Sequence, residues 1–283
     1  MRPIPTLAME VQNTLLQTPE TQAEIFEFIF DDTLLAASFV SNIALAGLTI
    51  LAIVFLAREV TDPRAKMIVI ATMLISVVSI SSYTGLTSGL TVSFIEMPAG
   101  HPRAGDEVFT MWGRYLTWTF STPFILIALG MIAGSNWTKI LTSVAFTISM
   151  CVTGLAAALT TSSLAMRWWW FVLSSIFFLV IVYIIFVEWS EDAANTGTED
   201  IFNTLKLLTV VGWFGYPILW AAGVEGFAVL DVAITSWGYS VLDIITKYIV
   251  TLLIILYVVD EPEGITAGAD YGASMPGITP ADD

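Results

Sequence analysis

The stretch VAITSWGYSVLDIITKYIVTLLIILYVV, residues 232–259, contains only two charged side chains, Asp243 and Lys247. A helix of about 20 apolar residues crosses the hydrocarbon core of a bilayer, so this stretch is long enough to span it. An ionised side chain in that core costs at least ~2.5–3.5 kcal/mol, so both charges require a partner or a function. Because they are four residues apart, we expect them on one face of a membrane-spanning helix.

Six other apolar runs of similar length precede this stretch, and the connections between them are short. The seven runs cover residues 33–57, 66–92, 108–133, 137–161, 168–188, 202–223 and 233–259. The chain of 283 residues is 56% hydrophobic and 12% charged, which is too apolar for an ordinary soluble domain. Barrel strands would be shorter and would alternate in polarity. We therefore predict an all-α membrane protein, a multi-pass bundle of seven transmembrane helices in the plasma membrane.

Three parts of the chain are expected to differ in structure. Residues 1–30 form an N-terminal segment, and TQAEIFEFIFDD within it predicts a short amphipathic helix across the outer face. This segment lacks an apolar run after a basic start, so we predict no conventional signal peptide. Residues 31–260 form the membrane domain, and the Gly-, Pro- and acid-rich residues 261–283 are expected to be a disordered cytoplasmic tail. Two polar connections are expected to be loops: residues 95–110 and 188–200.

Acidic residues outnumber basic ones by 25 to 10, which gives a formal net charge of −15. Such a chain is repelled by nucleic acid and by anionic surfaces, so neither is expected as a partner beyond the lipid bilayer itself. The acids concentrate outside the apolar runs. This pattern indicates either an ordinary solvated fringe or a protein adapted to high salt, where surface carboxylates keep it hydrated, and we favour the second interpretation.

Basic residues near the ends of the runs predict the orientation, because seven spans place the termini on opposite sides. Five of them border the first, third and fifth connections: Arg58, Arg64, Lys66, Lys139 and Lys206. Three lie on the other side: Arg2, Arg103 and Arg167. Since cytoplasmic connections carry the excess of Lys and Arg, we expect an extracellular N-terminus and a cytoplasmic C-terminus.

Some chemistry is excluded by single residues. Cys151 is the only cysteine and lies in the fourth run, so an internal disulfide or a cysteine metal site cannot form. His101 is the only histidine and falls in a connection, which argues against a histidine-ligated metal or haem and against a histidine proton relay.

The Asp243–Lys247 pair permits two interpretations. It could be a buried salt bridge that only satisfies both groups. Alternatively, Lys247 could form a Schiff base with a carbonyl cofactor, because a desolvated amine is a good nucleophile. Ionisable residues inside membranes are usually functional, which favours the cofactor.

Two other runs carry polar or aromatic residues at helical spacing. In the sixth run, Trp213, Tyr216, Pro217 and Trp220 share one stripe, which is typical either of packing or of a site for a flat conjugated ligand. In the third run, Arg114, Thr117, Ser121 and Ala128 lie close to one helical face, and Trp118 adds an indole next to the hydroxyls. These hydroxyls could serve a ligand, or could simply bond their own helix carbonyls.

Several motifs, taken together, resemble a known family. RYLTWTFSTP in the third run, GWFGYPILW in the sixth and LDIITK in the seventh resemble the microbial rhodopsins in order and spacing. MCVTGLAAALTTSS, MPAGH and the T-W-x-x-S-T-P variant resemble the halorhodopsin branch. The resemblance covers about residues 30–260. It implies that Lys247 binds all-trans retinal as a protonated Schiff base next to Asp243. It also implies a retinal pocket lined by Trp118, Met150, Ser174, Phe178, Trp213, Tyr216 and Trp220.

The charges inside the spans then predict an anion site. With retinal attached, Lys247 and Arg114 are positive and Asp243 is negative, so the centre keeps one net positive charge. Burying an unpaired charge is costly, and one small anion would neutralise it. By the resemblance, proton-pumping relatives carry carboxylates at the positions of Thr117 and Ala128, which this chain lacks. Chloride or another halide is therefore expected beside Arg114, Thr117, Trp118 and Ser121.

The resemblance further implies light-driven inward transport of that anion and a homo-oligomer, a trimer. On the cytoplasmic side, Lys206 and Thr209 are a candidate exit station. Glu225 lies at the outer end and is a candidate gate for uptake, acting with Arg103 or Arg114. An aspartate often occupies the place of Thr147 in relatives, and here Thr147 is expected to hydrogen-bond Thr122 instead.

Three rival functions stay open at this point. A light-driven proton pump needs a carboxylate at position 117. A photosensory receptor usually keeps that carboxylate as well, and no transducer-binding face is recognisable. A retinal-free solute transporter would be colourless. In each interpretation the chain is a transporter or receptor and not an enzyme.

Overall fold

A computed structural model describes residues 18–261. The predicted acidic tail from residue 262 onward, the first 17 residues of the N-terminal segment, and Arg2 with them lie outside the described residues. Within the described range, seven helical segments are long and apolar enough to cross a membrane. We number these spans first to seventh: Thr33–Glu59, Pro63–Thr87, Gly113–Ile132, Trp137–Leu159, Leu164–Thr196, Glu199–Ala222 and Val232–Asp260.

The spans are built from α-helices with short 3-10 and π-helical segments. The α-helices are α1 (Gln22–Asp31), α2 (Thr33–Leu56), α3 (Pro63–Thr87), α4 (Gly113–Ile132), α5 (Trp137–Leu159), α6 (Leu164–Tyr183), α7 (Trp189–Thr196), α8 (Glu199–Ala222), α9 (Val232–Asp243) and α10 (Val250–Asp260). A 3-10 turn, Ala57–Glu59, extends α2. Two π-helical segments, Ile184–Glu188 and Ile244–Ile249, join α6 to α7 and α9 to α10. The prediction of seven spanning helices is thus confirmed.

Helix starts coincide with side chains that cap exposed backbone N–H groups. Asp32 accepts hydrogen bonds from the amides of Leu34 and Leu35 at the start of α2. Four other spans begin after a side-chain cap of the same kind: Asp62, Asn136, Ser163 and Asp231. These short polar side chains satisfy donors that have no partner within the helix, which fixes where each span begins.

Two predicted boundaries were wrong around the second connection. The second span ends at Thr87, because Gly89 takes a left-handed conformation (φ +76°) that breaks the helix. The third span begins at Gly113 and not near residue 108. Between them, β1 (Ser93–Glu96) pairs antiparallel with β2 (Glu107–Thr110), so the expected loop at residues 95–110 is partly a hairpin and the fold is not purely helical.

The prediction of a loop at residues 188–200 was also wrong. The π-helical segment Ile184–Glu188 continues the fifth span into α7, which ends at Gly197 in a left-handed conformation. Trp189 is fully buried and anchors this extension against the third span, where its ring lies near Gly130. A helix therefore persists through polar residues because one face of it still packs on the bundle.

The predicted short helix near the N-terminus is present as α1. Thr21 and Glu24 form a reciprocal capping box at its start. The side chain of Gln22 donates to the carbonyl of Ser88, and the ring of Phe28 contacts Phe94 on the hairpin at 5.2 Å. Helix α1 thus lies against the connection between the second and third spans.

The third and seventh spans form the centre of the bundle. In the most apolar window of each span, 67% of the third and 50% of the seventh are buried, against 22–39% for the other five. Residues that face inward on these two spans are consequently removed from lipid on all sides. This placement brings together the polar face of the third run and the charged pair of the seventh.

Candidate retinal and anion site

The Asp243–Lys247 pair lies in the middle of the bundle. Lys247 Nζ is 2.9 Å from Asp243 Oδ2, and both residues are at least 98% buried, with 2% and 1% exposed. Lys247 sits within the π-helical segment Ile244–Ile249, a local irregularity that is common at functional sites. The predicted placement of both charges on one face is confirmed.

Two tyrosines hold the Asp243 carboxylate in place. Tyr83 donates to Oδ2 and Tyr216 donates to Oδ1, each at 2.6 Å. Together with Lys247 they give this carboxylate three donors, so its oxygens are already engaged. Tyr216 was predicted to belong to the site, whereas Tyr83 on the second span was missed, because a lone tyrosine in an apolar run carries no spacing signal.

A cavity beside Lys247 gathers all but one of the predicted retinal-contacting residues. About 790 Å³ of space between atoms, part of it open to the surroundings, lies in this region. The predicted residues that line it are Trp118, Met150, Ser174, Phe178, Trp213, Tyr216, Trp220 and Lys247. Asp243 contacts Lys247 from outside this lining. The cavity is apolar apart from a few side chains, so its chemistry fits a conjugated hydrocarbon attached to a lysine.

Aromatic rings form the walls of this cavity. Trp118 meets Tyr216 edge-on at 5.1 Å and lies 5.3 Å from Tyr239. Farther along, Phe171 stacks on Trp220 at 4.6 Å. Flat surfaces of this kind favour a planar ligand between them. The Ser174 hydroxyl donates to the Met150 carbonyl at 2.7 Å and is therefore partly engaged by the backbone.

Some residues of the cavity were missed by the sequence interpretation. They are Tyr115, Thr122, Ile125, Cys151, Gly154, Phe171, Ser175, Tyr239 and Thr246. Helical spacing could have found several of them. Tyr239 lies four residues before Asp243 and eight before Lys247, and Phe171 lies three residues before Ser174. Cys151 is buried, and it is one of the residues that line this cavity.

Arg114 lies next to this centre, in the first turn of α4. Its Nη1 donates to the Tyr83 hydroxyl at 3.0 Å, and its Nη2 donates to Ser236 Oγ at 2.7 Å. The Tyr83 hydroxyl therefore bridges Arg114 and Asp243, since it accepts from the first and donates to the second. In residues 18–261, no carboxylate forms an ion pair with Arg114.

The two hydroxyls on the Arg114 face of α4 differ: one bonds a carbonyl of its own helix, and the other is free to bind a ligand. Thr117 donates to the Gly113 carbonyl at 3.1 Å, as helix hydroxyls in membranes often do. Ser121 Oγ is buried and has no hydrogen-bond partner among the described residues, and the same holds for Trp118 Nε1 and Arg114 Nε. Buried donors without acceptors are unfavourable, so this face fits a small anion.

Glu225 lies in the connection after the sixth span, between Ala222 and Val232. Tyr115 donates to its carboxylate at 2.8 Å, and Arg167 Nε donates to its backbone carbonyl at 2.7 Å. Burial raises the pKa of the Glu225 carboxyl, while Arg167 and Tyr115 oppose the rise. The proposed partner Arg103 instead pairs with Asp106 at the surface, at 2.7 Å.

A small cavity lies between Glu225 and Arg114, lined also by Tyr115, Trp118 and Tyr239. Of the two partners suggested for Glu225, Arg114 is thus the one that shares a space with it. Arg167 was expected in a connection but is fully buried in the first turn of the fifth span. Its charge and that of Glu225 have opposite signs, so they change the net charge of the outer half little when both are ionised.

On the other half of the bundle, the two residues of the suggested exit station are not joined. Lys206 Nζ donates to Ser190 Oγ at 2.8 Å. Thr209 is fully buried, and its hydroxyl has no partner in the described part of the chain. The expected bond between Thr147 and Thr122 is absent, because the buried Thr147 hydroxyl also has no partner within residues 18–261.

Comparison with known proteins agrees with this geometry. The family described as "Bacteriorhodopsin-like protein" matches residues 33–261. The halorhodopsin of Halorubrum sodomense is 60% identical over 264 residues, which cover 93% of this chain and 94% of that protein. The halorhodopsin of Natronomonas pharaonis is 58% identical over 278 residues, which cover 95% of both chains.

Solved structures give the same relationship. One described as "Halorhodopsin, a light-driven chloride pump" is 48% identical, with a TM-score of 0.81, and covers 83% of this chain and 98% of its own. The bromide-bound form of halorhodopsin from Halobacterium salinarum is 48% identical, with a TM-score of 0.82, and covers 84% of this chain and 99% of its own. The protein therefore belongs to the bacteriorhodopsin-like family and, within it, to the halorhodopsins.

Proposed function

We propose that the protein is a light-driven pump that moves chloride, or another halide, inward across the plasma membrane, with retinal bound covalently to Lys247. The charge of the buried centre carries this proposal. Arg114 and Lys247 are positive, Asp243 is their carboxylate neighbour, and position 117 holds threonine and not an acid. The description of one solved relative as a chloride pump and the bromide bound to another support it.

Retinal would supply light absorption and a light-driven change of shape, and the side chains of this chain hold it. The Lys247 amine would be its attachment point, with Asp243 as the adjacent negative charge. Trp118 and Tyr216 pack against each other beside Lys247, and Trp220 stacks on Phe171 farther away. This arrangement would keep a long planar ligand in one orientation and exclude water from it.

The anion would bind on the inward face of α4. Arg114 supplies positive charge, and Ser121 Oγ and Trp118 Nε1 supply donors that lack an acceptor among the described residues. Thr117 can redirect its hydroxyl from the Gly113 carbonyl. Because Asp243 pairs with Lys247 at 2.9 Å, one carboxylate balances one of the two cations, and an anion would supply the counter-charge that Arg114 lacks.

The path of the anion follows from the same contacts. On the outer side, Glu225 faces Arg114 across the small cavity and would regulate uptake through its charge. On the inner side, the Thr209 hydroxyl, which has no partner among residues 18–261, would act as a temporary donor. Lys206 lies nearer the end of the same helix, donates to Ser190, and would attract the anion toward the cytoplasm. These inner residues form the exit of the proposed path.

The orientation and assembly belong to the same proposal. The N-terminus is extracellular and the C-terminus cytoplasmic, because Arg58, Arg64 and Lys139 border connections on one side of the seven spans. We expect the protein to assemble as a trimer within the lipid bilayer.

The rival functions each need a feature that this chain does not have. A proton pump of this fold needs a proton acceptor near Lys247 and an internal donor, whereas the chain has Thr117 and Ala128 at the expected places. A photosensory receptor usually keeps the same acceptor. The uncompensated Arg114 charge favours anion transport over both.

Uptake of radiolabelled chloride into illuminated membrane vesicles tests the proposal. In vesicles that keep the cellular orientation, light should drive chloride into the lumen, and a matched preparation of Arg114→Gln should accumulate much less. Accumulation that is equal in light and darkness, or light-driven proton export without chloride uptake, would overturn the proposal.

A further inference from the structure

The Arg114 guanidinium is held by a chain of hydrogen bonds that leads to the first span. Arg114 Nη2 donates to both the carbonyl and the hydroxyl of Ser236, at 3.2 and 2.7 Å. The Ser236 hydroxyl lies 2.6 Å from the Ser38 hydroxyl. Ser38 Oγ in turn donates to the Leu35 carbonyl at 2.7 Å. Both serines are fully buried, so water does not compete for these bonds.

The direction of each bond in this chain is determined by elimination. Arg114 can only donate, so the Ser236 oxygen accepts from it. The hydrogen of Ser38 points to the Leu35 carbonyl, which leaves the Ser38 oxygen as the acceptor for Ser236. All the donors therefore point from Arg114 toward the first span, and each bond polarises the next.

The first span also contacts Arg114 through an aromatic ring. The guanidinium carbon lies 5.4 Å from the ring centre of Phe39, the residue next to Ser38. Rings of Tyr83 and Tyr239 lie at 5.4 and 5.3 Å from the same carbon. Three rings, the Tyr83 hydroxyl and the Ser236 oxygens thus surround the guanidinium. Among residues 18–261, Ser38 is the acceptor that orients the Ser236 hydroxyl.

We propose that Ser38 is a positioning residue for the anion site, acting through Ser236 to fix the Arg114 guanidinium. This inference rests on the proposed anion site at Arg114. Ser38 lines neither the retinal cavity nor the small cavity beside Glu225, and it reaches Arg114 through the Ser236 hydroxyl. Without its oxygen, the Ser236 hydroxyl turns to its own helix, and the guanidinium keeps only the Tyr83 hydroxyl and the Ser236 carbonyl as acceptors.

Titration of the visible absorption band with chloride tests this inference in the full-length pigment. Ser38→Ala should raise the chloride dissociation constant about threefold to tenfold, the loss expected for one buried hydrogen bond. Ser38→Cys keeps nearly the same volume but offers a poor acceptor, so it should behave like alanine. Ser240→Ala is the matched control. The buried Ser240 hydroxyl donates to the Ser38 carbonyl at 3.0 Å and joins the same two spans without contacting Arg114.

The two serines must also act as one unit. In a Ser236→Ala background, Ser38→Ala should change the dissociation constant by less than about twofold, because contacting residues are energetically coupled. Equal effects of Ser38→Ala with and without Ser236, or an equal effect of Ser240→Ala, would overturn the inference. If the parent band does not respond to chloride at all, the anion site itself is wrong. If Arg114→Gln weakens the response and Ser38→Ala does not, only the role of Ser38 is wrong.

Discussion

A single substitution, Thr117→Asp, tests whether net positive charge is what holds the anion. Thr117 lies one helical turn from Arg114, faces the bundle interior and is 1% exposed. A carboxylate there would neutralise the one net positive charge that Arg114 and Lys247 keep after Asp243 is counted. It would also place a negative charge directly on the proposed anion face.

The size of the effect follows from this geometry. Because Thr117 is proposed to contact the anion directly, a carboxylate at this position would lie about 4 Å from it. At ~4 Å and an effective dielectric constant near 20, two like charges repel by about 4 kcal/mol. That energy corresponds to a loss of roughly a thousandfold in chloride affinity.

The assay is a chloride titration of the absorption band at constant ionic strength, with sulfate as the replacing anion. Thr117→Asn is the matched control, since it has nearly the same shape as aspartate and no charge, and its affinity should stay within about tenfold of the parent. The aspartate variant should also release some protons to the outside in light. If it binds chloride as tightly as the parent, the hydroxyl and indole donors hold the anion and the charge argument is refuted.

Three further predictions concern the cofactor, the outer carboxyl and the orientation. Lys247→Ala should abolish covalent pigment, and a visible band that survives acid denaturation in this variant would contradict the attachment site. Burial raises the pKa of Glu225, and its ionised form opposes an anion at Arg114. Chloride affinity should therefore rise as the pH falls through this raised pKa, and Glu225→Gln should remove that dependence; a dependence that persists would exclude Glu225 as its source. Arg103→Cys should react with an impermeant maleimide from outside intact cells, whereas Arg58→Cys should react only after lysis. The native Cys151 is buried and should not react in either case. The reverse labelling pattern would show that the predicted orientation is wrong.

Most of the fold could be predicted because it follows from local patterns. Runs of apolar residues determine the spans, and the spacing of Asp243 and Lys247 places them on one helical face. The stripe containing Trp213, Tyr216 and Trp220 likewise lines one cavity, as helical periodicity requires. Such features depend only on residues close in sequence, which a single chain displays directly.

The remaining features depend on contacts between residues far apart in sequence. Tyr83 and Asp243 are 160 residues apart and Ser38 and Ser236 are 198 apart, so no spacing rule connects them. The hairpin was missed because Val108 and Phe109 are apolar and were read as part of a spanning run. Burial of Arg167 was missed as well, since its carbonyl acceptors belong to other segments.

Light-induced pH change in suspensions of intact cells tests inward anion transport most directly. Inward movement of chloride makes the cell interior more negative, so protons follow passively. The medium should therefore become more alkaline in light, and a protonophore should enhance this change. Replacement of chloride by sulfate should abolish it. Acidification of the medium that a protonophore abolishes, and that persists in sulfate, would contradict the account.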